Sequence, residues 1–242
     1  MALIVRIDVD RPYGKQGLVR HVASRVSSDY FLPRVEWLRY LEELKTILGI
    51  LDTNGRSAYV FFRKCSYPSD EVRELMAAGN HVYGLHLENS RSEQTFREEL
   101  QSLQQELGFP VSAFSKHGSG RHRYGLHHFA PYEPERYFPW AKEAGLKFFF
   151  GNLEDPRLGA VQDGELVFYP SAFWLEPAWR DKQKFPLDWL LREAKERDIV
   201  MLLHADNVTS DPEIMREFCI AVEKLESVIL PVPAAARALG QS

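Results

Sequence analysis

Short apolar runs alternate with longer amphipathic stretches along the whole chain. Residues 2–7 (ALIVRI), 57–62 (SAYVFF) and 111–115 (VSAFS) are short and rich in β-branched or aromatic side chains, as buried strands are. HVYGLH, ending at His86, LKFFF, ending at Phe150, and IVMLL, ending just before His204, read the same way. ELVFYP predicts an antiparallel or peripheral strand, and VILPV a last one before a short tail helix. Between these runs, Leu38, Leu41, Leu44, Leu48 and Leu51 recur at steps of three and four, which predicts an amphipathic helix over 34–51. Ser69 as N-cap and Gly79 as stop bound a short helix. Phe96, Leu100, Leu103 and Leu107 mark another, ended by Gly108 and Pro110. PERYFPWAKEAG predicts a helix interrupted or kinked at Pro139. LDWLLREAKERD predicts a further helix and residues 211–225 the last, with Ser210 and Glu213 as its capping box.

Strands alternating with helices predict a parallel sheet with helical crossovers. No linker or repeat divides the chain, so residues 1–242 read as a single barrel-like α/β domain. An open doubly wound sheet is the fallback, but the Gly-rich phosphate fingerprint it often carries after its first strand is absent. With 45% hydrophobic and 26% charged residues, the composition is that of a soluble globular protein. A formal net charge of −4 argues against a phosphate-tracking nucleic-acid binder. Two cysteines, Cys65 and Cys219, without a CxxC, argue against a disulfide scaffold or a cysteine-rich zinc module. No apolar run is long enough for a membrane span, and MALIVRIDVD is too short an apolar run for a signal peptide, so a cytoplasmic location is expected.

In parallel α/β folds, reactive residues gather where the strands end. The first predicted strand ends in Asp8 and Asp10, the HVYGLH strand in His86, and VSAFS in Lys116 and His117. IVMLL ends in His204, with Asp206 and Asn207 just behind. On a strand, residues two apart share a side. Asp8 and Asp10 would then share a space, and two such carboxylates repel unless a cation lies between or beside them. The bland alternative is a loop in which Asp10 makes a turn before Arg11 and Pro12. His81 and His86 are five apart and face opposite sides, so both reach one metal only if a bulge forms, for instance at Gly84. His86 is the better candidate, and His81 reads as a structural histidine. Asp206 beside His204 suits a general acid whose ring a carboxylate orients.

The loop 116–132 carries His117, His122, His127 and His128, three glycines, and the positive charges of Arg121 and Arg123. A loop of that length inside one domain is usually functional or mobile. His117 ranks first because it directly follows a strand. Trp174 and Trp179 could stack on a sugar ring, or simply anchor their Pro-rich loop.

RIDVDRP, GNHVYGLHLENS and IVMLLHADN fall in an order that resembles the polysaccharide deacetylase (NodB-homology) superfamily. The resemblance covers most of the chain through three short motifs. It implies a distorted (β/α) barrel of seven or eight mostly parallel strands and removal of acyl groups from amino sugars with a divalent metal, Zn²⁺ above all. It implies Asp8 as base, Asp10 and His86 as metal ligands, and His204 as general acid. The second histidine ligand of the family falls on Ser90, and the family's Arg-x-x-Pro-Tyr segment is replaced by KHGSGRHRYG. The expected repair is His117 as third ligand. Alternatives are an oxygen from Glu88, Asn89 or Ser90, or no metal at all. Lys116, Arg121, Arg123, Asp206, Asn207 and Trp174 are the expected substrate contacts. The expected substrate is an acylated amino sugar, nucleotide- or lipid-linked, in surface-polysaccharide assembly before export. Rival readings are a non-catalytic carbohydrate-binding pseudoenzyme and a metal-independent amidohydrolase of a small cyclic amide.

Overall fold

The computed structural model describes residues 3–10, 18–30, 32–118 and 133–230. Nine strands form one sheet: β1 (Leu3–Val9), β2 (Ala58–Phe62), β3 (Val82–Leu87), β4 (Ala113–Lys116), β5 (Phe148–Leu153), β6 (Val161–Asp163), β7 (Leu166–Ser171), β8 (Phe173–Trp174) and β9 (Ile199–His204). Their order is β6-β7-β5-β4-β3-β2-β1-β9-β8, and every pairing except β6–β7 is parallel. The sheet curls. Tyr59 on β2 and Phe150 on β5, with two strands between them, bring their ring centroids within 5.0 Å. Arg6 on β1 donates a 2.8 Å hydrogen bond to Asn152 on β5. The result is a half-barrel of nine strands; no pairing among the described residues joins β6 to β8.

The two faces of the sheet bury different residues. Leu3, Val5, Ile7 and Val9 of β1 pack outward in a large core shared with the helices. Ile4, Tyr59, Phe61, Ala113, Phe148, Phe150 and Leu202 fill the concave side as a second apolar layer. The helices are α1 (Leu18–Asp29), α2 (Glu42–Thr53), α3 (Asp70–Ala78), α4 (Glu93–Leu107), α5 (Phe138–Glu143), α6 (Leu187–Glu193), α7 (Ala205–Ser210) and α8 (Pro212–Lys224). Helix α4 begins on a Ser92–Thr95 capping box and ends on Gly108 at φ 81°, the left-handed stop that glycine favours.

Several expected boundaries move. The helix expected over 34–51 is a 3-10 turn at Glu36–Leu38 followed by α2, because Arg39 adopts left-handed φ 56° between them. The PERYFPWAKEAG stretch is interrupted beside Pro139: a 3-10 turn, Pro134–Tyr137, gives way to α5 at Phe138, and Pro139 sits in its first turn, where the missing N–H costs nothing. Asp211, and not Ser210, caps α8, accepting from the Glu213 and Ile214 amides. The LVFYP run lies inside the sheet as β7, parallel to β5, with the short β6 outside it. VILPV forms no strand over its described residues; a single bridge, Leu3 to Ser227, precedes it. The expected tail helix lies outside the described residues.

Candidate functional site

Alternation along β1 sends Ile4, Arg6 and Asp8 into the concave side, and the neighbouring strands follow the same rule. β3 presents Gly84 and His86, β4 Ala113 and Ser115, β5 Phe150 and Asn152, and β9 Leu202 and His204. The apolar members lie toward the strand starts and the polar ones toward the C-terminal ends. A polar layer thus rests on an aromatic floor.

Asp10, His86 and His117 bring one carboxylate oxygen and two ring nitrogens within 4.8 Å of one another. His86 Nε2 lies 3.0 Å from His117 Nδ1 and 3.4 Å from Asp10 Oδ1. His117 Nδ1 lies 3.3 Å from the same oxygen. Burial pushes the Asp10 carboxyl up, but His117 and His86 outweigh it and hold the group well below the usual carboxylate range. Burial lowers the His86 pKa, against Asp8 and Asp10, and favours its neutral ring.

The other nitrogen of His86 faces a hydroxyl. Nδ1 is 2.7 Å from Ser115 Oγ, which in turn is 3.5 Å from Asp8 Oδ1. An ionised carboxylate only accepts, so a Ser115 hydroxyl that donates to Asp8 is free to accept from His86 Nδ1–H. With the proton on Nδ1, the Nε2 lone pair would face Asp10 and His117, as a bound cation requires. One carboxylate and two imidazoles converging in this way fit a borderline divalent cation.

Two guanidinium groups bracket the carboxylates. Arg6, fully buried, donates to both oxygens of Asp8 at 2.9 and 2.6 Å, and also to the Gly151 carbonyl at 2.6 Å. Burial raises the Asp8 pKa, but Arg6 and then His86 outweigh it and lower it overall. Arg63 donates to Asp10 Oδ1 at 2.9 Å and pairs with Glu88.

His204 Nε2 approaches Asp10 Oδ2 at 3.5 Å, while its Nδ1 meets Glu176 Oε1 at 2.8 Å. The same Glu176 oxygen accepts from the His204 amide at 2.7 Å. Burial works against the imidazolium, yet Glu176 overrides it and raises the ring to about 9. Trp174 stands beside it, ring centroids 5.9 Å apart, with its Nε1 donating to the Leu153 carbonyl.

Other expected residues land elsewhere. Glu176 takes the partner role expected of Asp206, because the chain enters α7 at Ala205 and strand alternation ends there. Asp206 instead exerts its charge on Glu43 of α2. Asn207 stays close, its Nδ2 3.5 Å from Glu176 Oε1. Lys116 donates to the carbonyls of His117 and Gly118 at 3.0 and 3.4 Å, and burial pushes it down to about 7. Glu88 is committed to Arg63, the Asn89 backbone to Glu99 and Thr95, and Ser90 is buried with its hydroxyl toward Tyr137. His81 accepts from the Ala58 amide at Nδ1 and faces Asp52 with Nε2, both at 3.0 Å, as a structural histidine does. Arg121, Arg123, His122, His127 and His128 lie outside the described residues, as does the Trp179 side chain.

Sequence reasoning missed Arg6, Arg63, Ser115 and Glu176. The first three carry a signal: Arg6 and Ser115 stand two residues before Asp8 and His117 on the same strand face, and Arg63 directly follows β2. Glu176 follows a two-residue strand and carries no periodic signal.

No protein-family profile matches the chain, and no curated protein does. Several solved structures are similar, three of which follow. One is a mutant of a CE4-family pseudoenzyme with restored enzymatic activity, at 13% identity and a TM-score of 0.42, covering 90% of this chain and 62% of that one. A second is a glycoside hydrolase/deacetylase, so described, from Parabacteroides distasonis, at 12% identity and a TM-score of 0.46, over 92% of this chain and 65% of that one. The third is a family 4 acetyl xylan esterase from Clostridium thermocellum with a cobalt ion, at 12% identity and a TM-score of 0.33, over 94% and 99%. The chain thus spans less than two thirds of the first two, and its function is argued from the geometry around Asp10 and His204.

Proposed function

We propose that the protein is a metal-dependent hydrolase that removes an acyl group from an amino sugar, with Zn²⁺ as the metal. The observation that carries this reading is the convergence of Asp10, His86 and His117 beside the Glu176–His204 pair at the strand ends. Asp10, His86 and His117 would hold the cation. When bound, it supplies Lewis acidity toward an acyl carbonyl and toward water.

The protein's own groups do the rest. Ser115, 2.7 Å from His86 Nδ1, would hold the ring with its proton on Nδ1 once Nε2 binds the cation. Asp8 is ionised and is the expected base; with both oxygens on Arg6, it orients a nucleophile better than it strips a proton. His204, raised to about 9 by Glu176, is protonated at neutral pH and would protonate a departing amine from Nε2, whose position beside Asp10 puts it next to the ligand set. Trp174, buried in the concave apolar layer, packs beside His204 and gives that region an aromatic wall. A nucleotide- or lipid-linked intermediate of surface-polysaccharide assembly is the substrate class that the motif resemblance supports.

The test is release of acetate or formate from a panel of acylated amino sugars. His204→Ala should lower kcat by about 10²–10⁴-fold. Release that is unchanged in His204→Ala would refute the assigned role. A second reading, carbohydrate binding without catalysis, is favoured by one observation: each carboxylate already has its own guanidinium, Arg6 on Asp8 and Arg63 on Asp10. It predicts sugar binding with no product from any member of the panel.

A further inference from the structure

Helix α1 turns its apolar side outward. Its inward side carries Ser24 and Ser27, both buried, and the Ser24 carbonyl accepts from Tyr40 Oη at 3.0 Å. Leu18, Val19, Val22 and Val26 fall within roughly 100° of arc on the other side at helical spacing. They are 78%, 74%, 52% and 44% exposed. Tyr30, just past the helix end, and Trp37, whose ring lies beside Arg20 in the first turn, are exposed as well. A contiguous apolar face of this kind marks an interaction surface.

Its charge indicates what covers it. Residues 18–40 hold four arginines against two acidic residues, in a chain whose formal net charge is −4; Arg34 is paired with Glu36, which leaves Arg20, Arg25 and Arg39 against Asp29. Arg20 places its guanidinium over the Trp37 ring, 5.4 Å from the centroid. An aliphatic stripe with Trp, Tyr and arginines at its border is the chemistry of a helix lying in the headgroup layer of an anionic bilayer. A second copy of the chain would bring like-charged arginines together across the contact. No described helix is long and apolar enough to cross a membrane, so the contact lies along the surface. Helix α1 packs on the Lys64–Ser66 turn, which directly follows Arg63, the partner of Asp10. The apolar face is therefore at the end of the molecule where the Asp10 cluster sits.

We propose that α1 and the Trp37 turn dock the protein on an anionic lipid surface, with the aliphatic row in the headgroup layer and the arginines on lipid phosphates. This stands independently of the hydrolase reading, because it needs neither metal nor turnover. The test is co-sedimentation of the full chain with phosphatidylcholine vesicles containing about a third phosphatidylglycerol, beside pure phosphatidylcholine vesicles. Binding should be selective for the anionic vesicles and weaken in about 0.5 M salt. The double substitution Val19→Asp/Val22→Asp should cut the partition coefficient at least about tenfold, and Arg20→Gln/Arg25→Gln should reduce the anionic selectivity. Both pairs lie at the surface, and an unchanged Tm confirms that the variants are folded. Three results would overturn the proposal: no binding of the wild type, unchanged binding in Val19→Asp/Val22→Asp, or a wild-type dimer in sedimentation velocity that the aspartates dissolve while vesicle binding is absent. The last would assign the face to a second copy.

Discussion

Arg6 and Asp8 form a buried ion pair whose members stand two residues apart on one strand. Removing one partner of such a pair leaves an uncompensated charge. Arg6→Met should destabilise the fold by about 3–5 kcal/mol in denaturant unfolding, and Arg6→Met/Asp8→Asn should recover part of the loss. Equal losses in the single and double variants would show that Arg6 matters through its bonds to Gly151 and Asn152 instead. Glu176 acts at the same scale, through one oxygen shared between the ring and the amide of His204. Glu176→Gln keeps the size and removes the charge that raises the His204 pKa. In the proposed hydrolase it should lower kcat by about 10²-fold, with KM changing far less. A matching rise in KM with kcat intact would place Glu176 in substrate binding.

At the element scale, β3 shows why residue spacing was informative. His81 and His86 do face opposite sides, and no bulge brings them together: the β2–β3 register runs unbroken from Tyr59–Val82 to Phe62–Leu85. Gly84 serves packing instead. A Cβ there would meet the Phe61 ring at 2.4 Å and the Ala113 carbonyl at 3.1 Å. Gly84→Ala should cost about 1–3 kcal/mol in thermal or denaturant unfolding, as overpacking does; a neutral result would mean that the aromatic floor yields easily. Asp8 and Asp10 were legible for the same reason as His86. β1 continues two residues past the expected end, so period-two alternation holds through the motif. Asp206 was chosen for its nearness to His204 in sequence, but the chain enters α7 at Ala205 and Glu176 takes that place.

Over the whole molecule, alternating strands and helices made the parallel α/β class legible, but not the order of the strands. That order is what sets Arg6 of β1 against Asn152 of β5, and His204 of β9 beside the carboxylates of β1. Such neighbours are separated by more than a hundred residues and are joined by curl, which no local pattern encodes. The outward apolar face of α1 was missed because no element was read over residues 18–29, and only tertiary packing shows that this helix buries its serines and exposes its valines.

The central claim is that His117 fills the ligand place that falls on Ser90. Metal content and Zn²⁺ affinity, measured on purified wild type, Asp10→Ala, His117→Ala and Ser90→Ala, test it most directly. The account predicts stoichiometric metal in wild type and Ser90→Ala, and its loss in Asp10→Ala and His117→Ala. Full occupancy in His117→Ala, or no metal bound by the wild type at any Zn²⁺ concentration tried, would contradict it.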